Sequence, residues 1–335
     1  MPGIDQGRSR VKWLGSLALV LLLLPLLSSC GGSMVVNGVQ GKVPQAPPPP
    51  ALPRPVLVQI ENYPAARPQT GLSGAKVVYE YITEGGITRF TAIYFGAMPA
   101  VLGPNRSARE VSVKLMELYQ GVLIYSGASY YVRNLLYHSG GLGRFFNPDT
   151  SGADFYYRIA SRQAPHNLYL NTSLMHQAIV AKGWTGTVGY RLWPAGSFSG
   201  QPTASFNLAL SGFEYVSWHW DSQLGRWMRV DQGAAFIGAG SGHQLGAAVV
   251  VVQHVPIVNL GYVEDVNGQP GLGFGIQGSG PAQVFANGME AQATWTQGAS
   301  GPPVFTYANG QTVDFPPGPV WIELTSPGNN PQVTP

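Results

Sequence analysis

Cysteine and charge are both scarce in this sequence. Its 335 residues contain one cysteine, Cys30. Disulfide frameworks, cysteine-based zinc sites and iron–sulfur clusters each need several thiolates, so all three are excluded. Charged residues make up 10% of the chain, against about 25% in an average soluble domain, and the formal net charge is only +3. A nucleic-acid-binding protein normally carries more positive charge, so no nucleic-acid partner is expected.

The sequence has an apolar run at residues 14–27, but this run is too short to span a membrane. A spanning helix needs about 20 apolar residues, and this run is shorter and contains Pro25. It follows the cations Arg8, Arg10 and Lys12. A basic start followed by a short apolar run is typical of a secretory signal peptide, which we predict over residues 1–29.

The end of this run resembles the lipobox of bacterial lipoproteins, with the sequence Leu27-Ser28-Ser29-Cys30. The resemblance implies that Cys30 carries palmitate-type acyl chains and anchors the protein at the extracytoplasmic face of the cell membrane. Several chains are needed for stable anchoring. The alternative is an ordinary signal peptide with an incidental cysteine. An acylated Cys30 would exclude cysteine-dependent catalysis.

The chain has a proline-rich segment, and the residues after it have a composition typical of folded domains. Residues 30–51 have no apolar periodicity and end in a proline cluster, which predicts a semi-rigid tether. The whole chain is 44% apolar and 11% aromatic, enough to bury a core. Its length predicts two domains, 52–190 and 191–326, and a disordered tail at 327–335.

The first domain mixes strand and helix patterns. Residues 77–82 and 87–95 are rich in β-branched and aromatic residues and flank Glu84-Gly85-Gly86, which indicates a hairpin. Ser107 and Glu110 match a capping box and predict a helix to about residue 120. Further helices are predicted at 129–138 and 174–182, with a buried strand at 121–125.

From about residue 190 the helix patterns disappear. Short alternating segments follow one another, with Asn287-Gly288 and Asn309-Gly310 as hairpin turns. The predicted fold class is therefore α+β: a mixed α/β domain followed by a mostly antiparallel β domain.

Several blocks of sequence resemble the YerB-like family of bacterial lipoproteins. The resemblance spans about residues 52–325 and rests on NYPAARPQTGL (62–72), VVYEYITEGGITRF (77–90), GPNRSARE (103–110), SGAS (126–129), APHNLY (164–169), GRWMRV (225–230), VVVQ (250–253) and NGQTVDFPPGPVWIEL (309–324). It implies a secreted, lipid-anchored protein of two consecutive domains. It implies no activity, because the family is uncharacterised.

Polar residues in the 77–90 block predict an ion-pair cluster. With Gly85-Gly86 as a two-residue turn, Glu84 would pair with Ile87 and Glu80 with Thr91. Because side chains alternate between the faces of a strand, Glu80, Glu84 and Arg89 would then share a face. The cluster could be structural, or it could hold a carboxylate in a cleft for acid–base chemistry.

Arg106 and Arg109 flank the predicted start of the helix at residue 107. Cations are disfavoured there by the helix dipole, so an anion is expected beside them. That anion could be an internal carboxylate, Glu80 or Glu84, or an external phosphate or carboxylate. We assign to the same cleft the polar residues next to prolines in other motif blocks: Arg67, Gln69, His166 and Asn167.

Three functions are compatible with these residues. The leading hypothesis is a lipoprotein that binds an anionic envelope polymer or lipid head group through Arg67, Arg89, Arg106 and Arg109. The second is a cell-wall glycan hydrolase or transferase that uses Glu80 or Glu84 with His166. The third is an interaction scaffold that docks a protein partner, of unknown identity, through the β domain. No metal ion or other cofactor is expected.

Overall fold

A computed structural model describes residues 51–139, 143–151 and 154–335. The predicted signal peptide, Cys30 and nearly all of the predicted tether lie outside these residues. No helix in the described part of the chain is both long enough and apolar enough to cross a bilayer.

All helices of the described residues precede residue 182. The α-helices are α1 Glu110–Leu118, α2 Tyr130–His138, α3 Pro148–Ser151 and α4 Thr172–Ala181, and 3-10 turns cover Pro64–Ala66, Leu72–Gly74 and Glu84–Gly86. Ser129 caps α2 as expected, because its hydroxyl accepts a hydrogen bond from the Val132 N–H at 3.2 Å. Helix α4 starts two residues before the predicted position, with Asn171 as its N-cap.

Strands make up most of the regular structure. In chain order they are β1 Leu52–Pro53, β2 Val56–Glu61, β3 Val77–Ile82, β4 Thr88–Tyr94, β5 Val101–Leu102, β6 Val122–Ile124, β7 Phe145–Phe146, β8 Tyr156–Arg158, β9 Leu168–Asn171, β10 Thr187–Val188, β11 Gln201–Pro202, β12 Ser205–Ala209, β13 Tyr215–Asp221, β14 Arg226–Asp231, β15 Ala234–Ala235, β16 Gly246–Ala247, β17 Val249–His254, β18 Ile257–Val263, β19 Pro270–Phe274, β20 Ser279–Ala286, β21 Met289–Thr296, β22 Val304–Thr306, β23 Val320–Thr325 and β24 Gln332–Thr334. The fold is therefore mostly β with few helices.

One large mixed sheet joins the two halves of the sequence. Its eleven strands run in the order β11-β21-β20-β17-β23-β3-β4-β2-β6-β7, with β22 beside β21. Strand β23 pairs in parallel with both β17 and β3, so it bridges segments far apart in the chain. A second, six-stranded sheet contains β15-β14-β13-β12-β24 with β16 beside β14, and β18 and β19 form a separate hairpin. The predicted halves 52–190 and 191–326 thus share a sheet.

The large sheet is buried on both faces at its centre. Along β17, Val249 and Val251 pack on the face covered by α1, and Val250 and Val252 pack on the face covered by the second sheet. This is why β17 is a continuous apolar run rather than an alternating one. Strand β2 ends at Glu61, where several turns and helix N-termini meet.

The predicted two-residue turn between β3 and β4 is wrong, and so is the strand register predicted from it. The β3–β4 turn has three residues, because Gly85 and Gly86 both adopt positive φ angles of 75° and 78° and the Thr83 N–H donates to the Ile87 carbonyl. Glu80 is therefore opposite Phe90, and Arg89 is opposite Tyr81, on the other face of the sheet.

The predicted disordered tail is also wrong over Gln332–Thr334. These residues form β24, which pairs with β12 and extends the second sheet.

Candidate functional site

A cleft of about 930 Å³ opens at the end of β2 and is lined mainly by polar and charged side chains. We call it the charged cleft. Its walls come from the β3–β4 turn, the N-termini of α1 and α2, the loop before β9 and the tip of the β18–β19 hairpin. Its key residues are Glu61, Tyr63, Glu84, Arg89, Arg106, Arg109, His166 and Glu264.

Helix α1 begins at Glu110, so the capping box predicted at Ser107 is wrong. The N–H groups of Arg106 and Ala108 donate to the Gln59 and Gly127 carbonyls, which keeps this segment extended. Arg109 is the N-cap residue, and its N–H donates to Ser112 Oγ at 2.6 Å. The extended segment and the late helix start place Arg106 and Arg109 in the wall of the charged cleft.

Arg109 has two internal carboxylate partners. Its Nη2 and Nε lie 2.6 and 2.7 Å from Glu84 Oε2, and its Nη1 lies 3.4 Å from Glu264 Oε1. Burial lowers the pKa of Arg109, but Glu84 and Glu264 more than offset this, so the pKa is raised. For Arg109 the sequence left an internal and an external anion open, and the structure contains the internal one.

Arg106 is also paired, through a carboxylate that the sequence did not suggest. Its Nε lies 3.0 Å from Glu61 Oε1, and His166 Nδ1 lies 3.1 Å from the same oxygen. Tyr63 stacks on the His166 ring, with centroids 5.0 Å apart and planes 10° apart. The carboxylate and the tyrosine together fix the orientation of His166 at the cleft wall.

Arg89 differs from these two arginines because it has no carboxylate partner. The residue is only 3% exposed, and its Nη1 donates to the Ser107 carbonyl at 3.2 Å. Within the described residues, no carboxylate oxygen lies within 4.0 Å of its guanidinium, and its Nε has no hydrogen-bond partner. Burial and the nearby Arg109 and Arg106 outweigh the opposing effects of Glu84 and Tyr81 and lower the pKa of Arg89 to about 9. The group is still a cation at neutral pH.

Four of the predicted site residues lie outside the charged cleft. Gln69 is buried and donates to the Glu61 carbonyl at 2.9 Å. Asn167 donates to the Ile159 and Arg162 carbonyls and so holds its own loop. Arg67 and Glu80 belong to a separate group of ionisable residues between the two sheets. The cleft therefore combines Glu84, Arg89, Arg106, Arg109 and His166, but not Arg67, Gln69, Glu80 or Asn167.

We call this separate group the inner charge cluster; it consists of Arg67, Glu80, Glu214, Arg229, Asp231 and Glu323. Arg229 is fully buried, and its Nη2 lies 2.8 and 2.9 Å from the two oxygens of Glu80. Its Nη1 lies 2.8 Å from Asp231 Oδ2. The predicted Glu80–Arg89 pair is wrong, because the observed strand register places these residues on opposite faces and Arg229 binds Glu80 instead.

Arg67 closes the outer side of the inner charge cluster. Its Nη1 and Nη2 lie 2.6 Å from Asp231 and 2.8 Å from Glu214. Burial, followed by Asp231 and Glu80, raises the pKa of Glu214 to about 7. The pKa of Asp231 is lowered: its burial is outweighed by Arg229 and Arg67. These partners explain why Arg67 is held away from the charged cleft.

Three cleft residues were missed by sequence reasoning. Glu61 and Tyr63 directly flank Asn62, the first residue of a motif block, so that block carried a local signal. Glu264 lies at the tip of the β18–β19 hairpin, where Ser129 and Tyr262 donate to its Oε2 at 3.1 and 2.7 Å. Only tertiary structure places Glu264 beside Arg109, because the two residues are far apart in the chain.

The fold and the site define a β-rich protein, built on one mixed sheet, with a charged cleft beside the sheet. Residues 44–185 match the N-terminal domain, and residues 206–322 the C-terminal domain, of a family described as "Protein of unknown function (DUF3048)". The chain belongs to this two-domain family, the YerB-like family that its motif blocks indicated.

Two comparisons with known proteins each match most of this chain. The chain is 27% identical over 282 residues to "Putative lipoprotein YerB" of Bacillus subtilis (strain 168), covering 81% of each chain. It is also similar in fold to the crystal structure of the YerB protein from Bacillus subtilis, with a TM-score of 0.73 and 24% identity, over 85% of this chain and 95% of that one. The relative is thus named as a lipoprotein, and neither name states an activity.

Proposed function

We propose that this protein is a lipoprotein, anchored through Cys30 at the extracytoplasmic face of the membrane, whose charged cleft binds an anionic group of a cell-envelope component. The lipobox-like sequence and the name of the Bacillus subtilis relative support the anchor. The observation that carries the binding proposal is Arg89, a buried guanidinium in the cleft wall without a carboxylate partner.

The arginines of the cleft have different roles in this proposal. Arg106 and Arg109 are already paired with Glu61, Glu84 and Glu264, so they contribute mainly by holding the cleft walls around Arg89. A buried charge without a counterion is costly, and an incoming carboxylate or phosphate would remove that cost. Guanidinium groups bind such oxyanions in a directional, charge-assisted way. The anion is therefore expected to dock at Arg89.

The test compares Arg89→Gln with Arg191→Gln, an exposed arginine that does not line the charged cleft. Binding of inorganic phosphate and of acetate to the full-length chain in detergent micelles is measured by calorimetry and by thermal unfolding. We expect Arg89→Gln to weaken binding at least tenfold and Arg191→Gln to leave it unchanged. Equal binding by wild type and Arg89→Gln would overturn the proposal.

A separate labelling experiment tests the anchor. Cells expressing the wild-type chain or Cys30→Ala are grown with a palmitate analogue. We expect label and membrane association only in the wild type. Label in the Cys30→Ala variant, or its absence in the wild type, would contradict acylation at Cys30.

A second candidate function is hydrolysis of an envelope glycan. Glu80 cannot contact a substrate, because it is fully buried in the inner charge cluster. The observation that favours hydrolysis is the Glu61–His166 pair: a carboxylate on Nδ1 leaves Nε2 as the proton acceptor, the arrangement of a general base. His166→Gln should then abolish release of soluble saccharide from purified cell walls while phosphate binding is retained. Docking of a protein partner through the β-rich half stays a prediction.

A further inference from the structure

The charged cleft contains one flat apolar surface among its charged groups, the ring of Tyr63. This side chain borders the cleft and is 43% exposed. The Tyr63 ring stacks on His166, which covers part of the Tyr63 ring. The stack also fixes the orientation of the Tyr63 ring, because His166 is itself bound to Glu61. An exposed, rigidly held tyrosine ring is a platform on which the C–H face of a ligand ring can pack at low entropic cost.

The cleft also has unused hydrogen-bonding atoms of both kinds. Among the described residues, Glu61 Oε2 and Glu84 Oε1 accept no hydrogen bond, and Arg89 Nε donates none. Buried polar atoms normally have partners, so such atoms around one cleft indicate groups that a ligand supplies. The matching ligand needs hydroxyl or N–H donors for the carboxylates and an anionic group for Arg89.

A peptide in extended form fits this cleft poorly. Peptides commonly bind by adding a strand to a free sheet edge. Arg89 lies on β4, which pairs with β3 on one side and β2 on the other, so no free edge is present there. The other cleft walls are turns and helix N-termini.

We infer that the ligand of the charged cleft is an acidic saccharide, with its carboxylate on Arg89, its hydroxyls on Glu61 and Glu84, and its ring against Tyr63. This inference rests on the proposed anion binding and adds the chemical class of the ligand. Hydroxyls, a carboxylate and an apolar ring face occur together in a uronic acid, whereas phosphate and acetate offer only the anionic group.

The test is calorimetric titration of the full-length chain in detergent micelles with trigalacturonate, maltotriose, acetate and an N-acetylated diglutamate peptide. We expect trigalacturonate to bind at least tenfold more tightly than acetate or the peptide, and maltotriose to show no measurable binding. Tyr63→Ala should weaken trigalacturonate binding about tenfold and change acetate binding less than twofold. Tyr63→Phe, which keeps the ring, should stay within twofold of the wild type.

The outcomes separate this inference from the proposed function. Arg89-dependent acetate binding with trigalacturonate no tighter would overturn the saccharide and leave anion binding intact. The same holds if Tyr63→Ala does not affect trigalacturonate binding, or if the acidic peptide binds most tightly. Absence of binding for every anion would overturn both. The wild-type comparison of the four titrants decides the ligand class even if Tyr63→Ala does not fold.

Discussion

Replacing Arg229 by methionine should be among the most destabilising single changes in this protein. The side chain is fully buried and holds both oxygens of Glu80 and one oxygen of Asp231. Asp231 would keep Arg67 as a partner at 2.6 Å, so the main cost comes from Glu80. Glu80 would retain hydrogen bonds from Thr88 and Trp321 but no cation. Removing one partner of a buried ion pair costs about 3–5 kcal/mol.

A double-mutant cycle isolates the Glu80–Arg229 pair. Glu80→Gln with Arg229→Met leaves no unpaired charge at the pair, so the double variant should be more stable than the sum of the single effects predicts, by about 1–3 kcal/mol. The free energy of unfolding is measured by urea denaturation, followed by the intrinsic fluorescence of the eight tryptophans, of which Trp218 and Trp321 pack against each other near the cluster.

A matched control cycle uses Glu80→Gln with Arg89→Met. Those two side chains lie on opposite faces of the sheet, so their effects should add within about 0.5 kcal/mol. An additive Glu80–Arg229 cycle, or a loss of less than about 1 kcal/mol for Arg229→Met, would refute the assignment of Glu80 to this pair. Coupling between Glu80 and Arg89 would instead restore the register expected from the sequence.

Glu214, Arg109 and Gly86 each give a further prediction. Burial, Asp231 and Glu80 raise the pKa of Glu214 from its usual 4.5 to about 7, so the stability gained from its protonated form is fully present below pH 4.5 and is lost as pH rises through 7. In urea titrations, the unfolding free energy of the wild type relative to Glu214→Gln should therefore fall by on the order of 2 kcal/mol between pH 5 and 8. A difference that does not change with pH would contradict this prediction. Arg109→Gln should destabilise the fold by about 2–4 kcal/mol, because it leaves Glu84 and Glu264 without a cation. Arg89→Gln should cost less than about 1 kcal/mol. If thermal and urea unfolding showed the two variants to be equally destabilised, that result would be inconsistent with an unpaired Arg89. Gly86→Ala should lower the unfolding free energy by about 1–2 kcal/mol, because Gly86 has a φ of 78° and an added Cβ would lie 3.0 Å from the Phe213 ring. Gly85→Ala should lower it by less, because an added Cβ at Gly85 would meet open space. The reverse order would argue against the three-residue turn.

Local rules were sufficient where the decisive contacts are local. Helix α2 was predicted because Ser129 precedes an apolar-periodic segment and caps it in the structure. The β3–β4 hairpin was predicted, but its register was not. The turn length depends on two consecutive positive-φ glycines, and a Glu-Gly-Gly sequence is compatible with either two or three turn residues. A one-residue difference in register moved Arg89 away from Glu80 and left it facing the cleft.

The inner charge cluster shows where a signal was present but incomplete. Along β14, Trp227, Arg229 and Asp231 are buried, while Met228 and Val230 are less buried. Strand periodicity alone puts both charged residues on the same face as the buried tryptophan, so their burial could have been predicted. Glu80, the partner of Arg229, could not have been predicted, since it lies on a different sheet and 149 residues away from Arg229.

The position of β23 at the centre of the large sheet has a consequence for how this chain acquires its structure. Strand β23 ends at residue 325, yet it separates β17 from β3, so both of those strands have an open edge until it is inserted. Closing the sheet requires contact between residues about 240 positions apart, a topology that folds slowly. A chain made by ribosomes from its N-terminus would remain incompletely folded until residue 325 had emerged. Truncation before Val320 would therefore leave β17 and β3 each with an exposed, aggregation-prone strand edge.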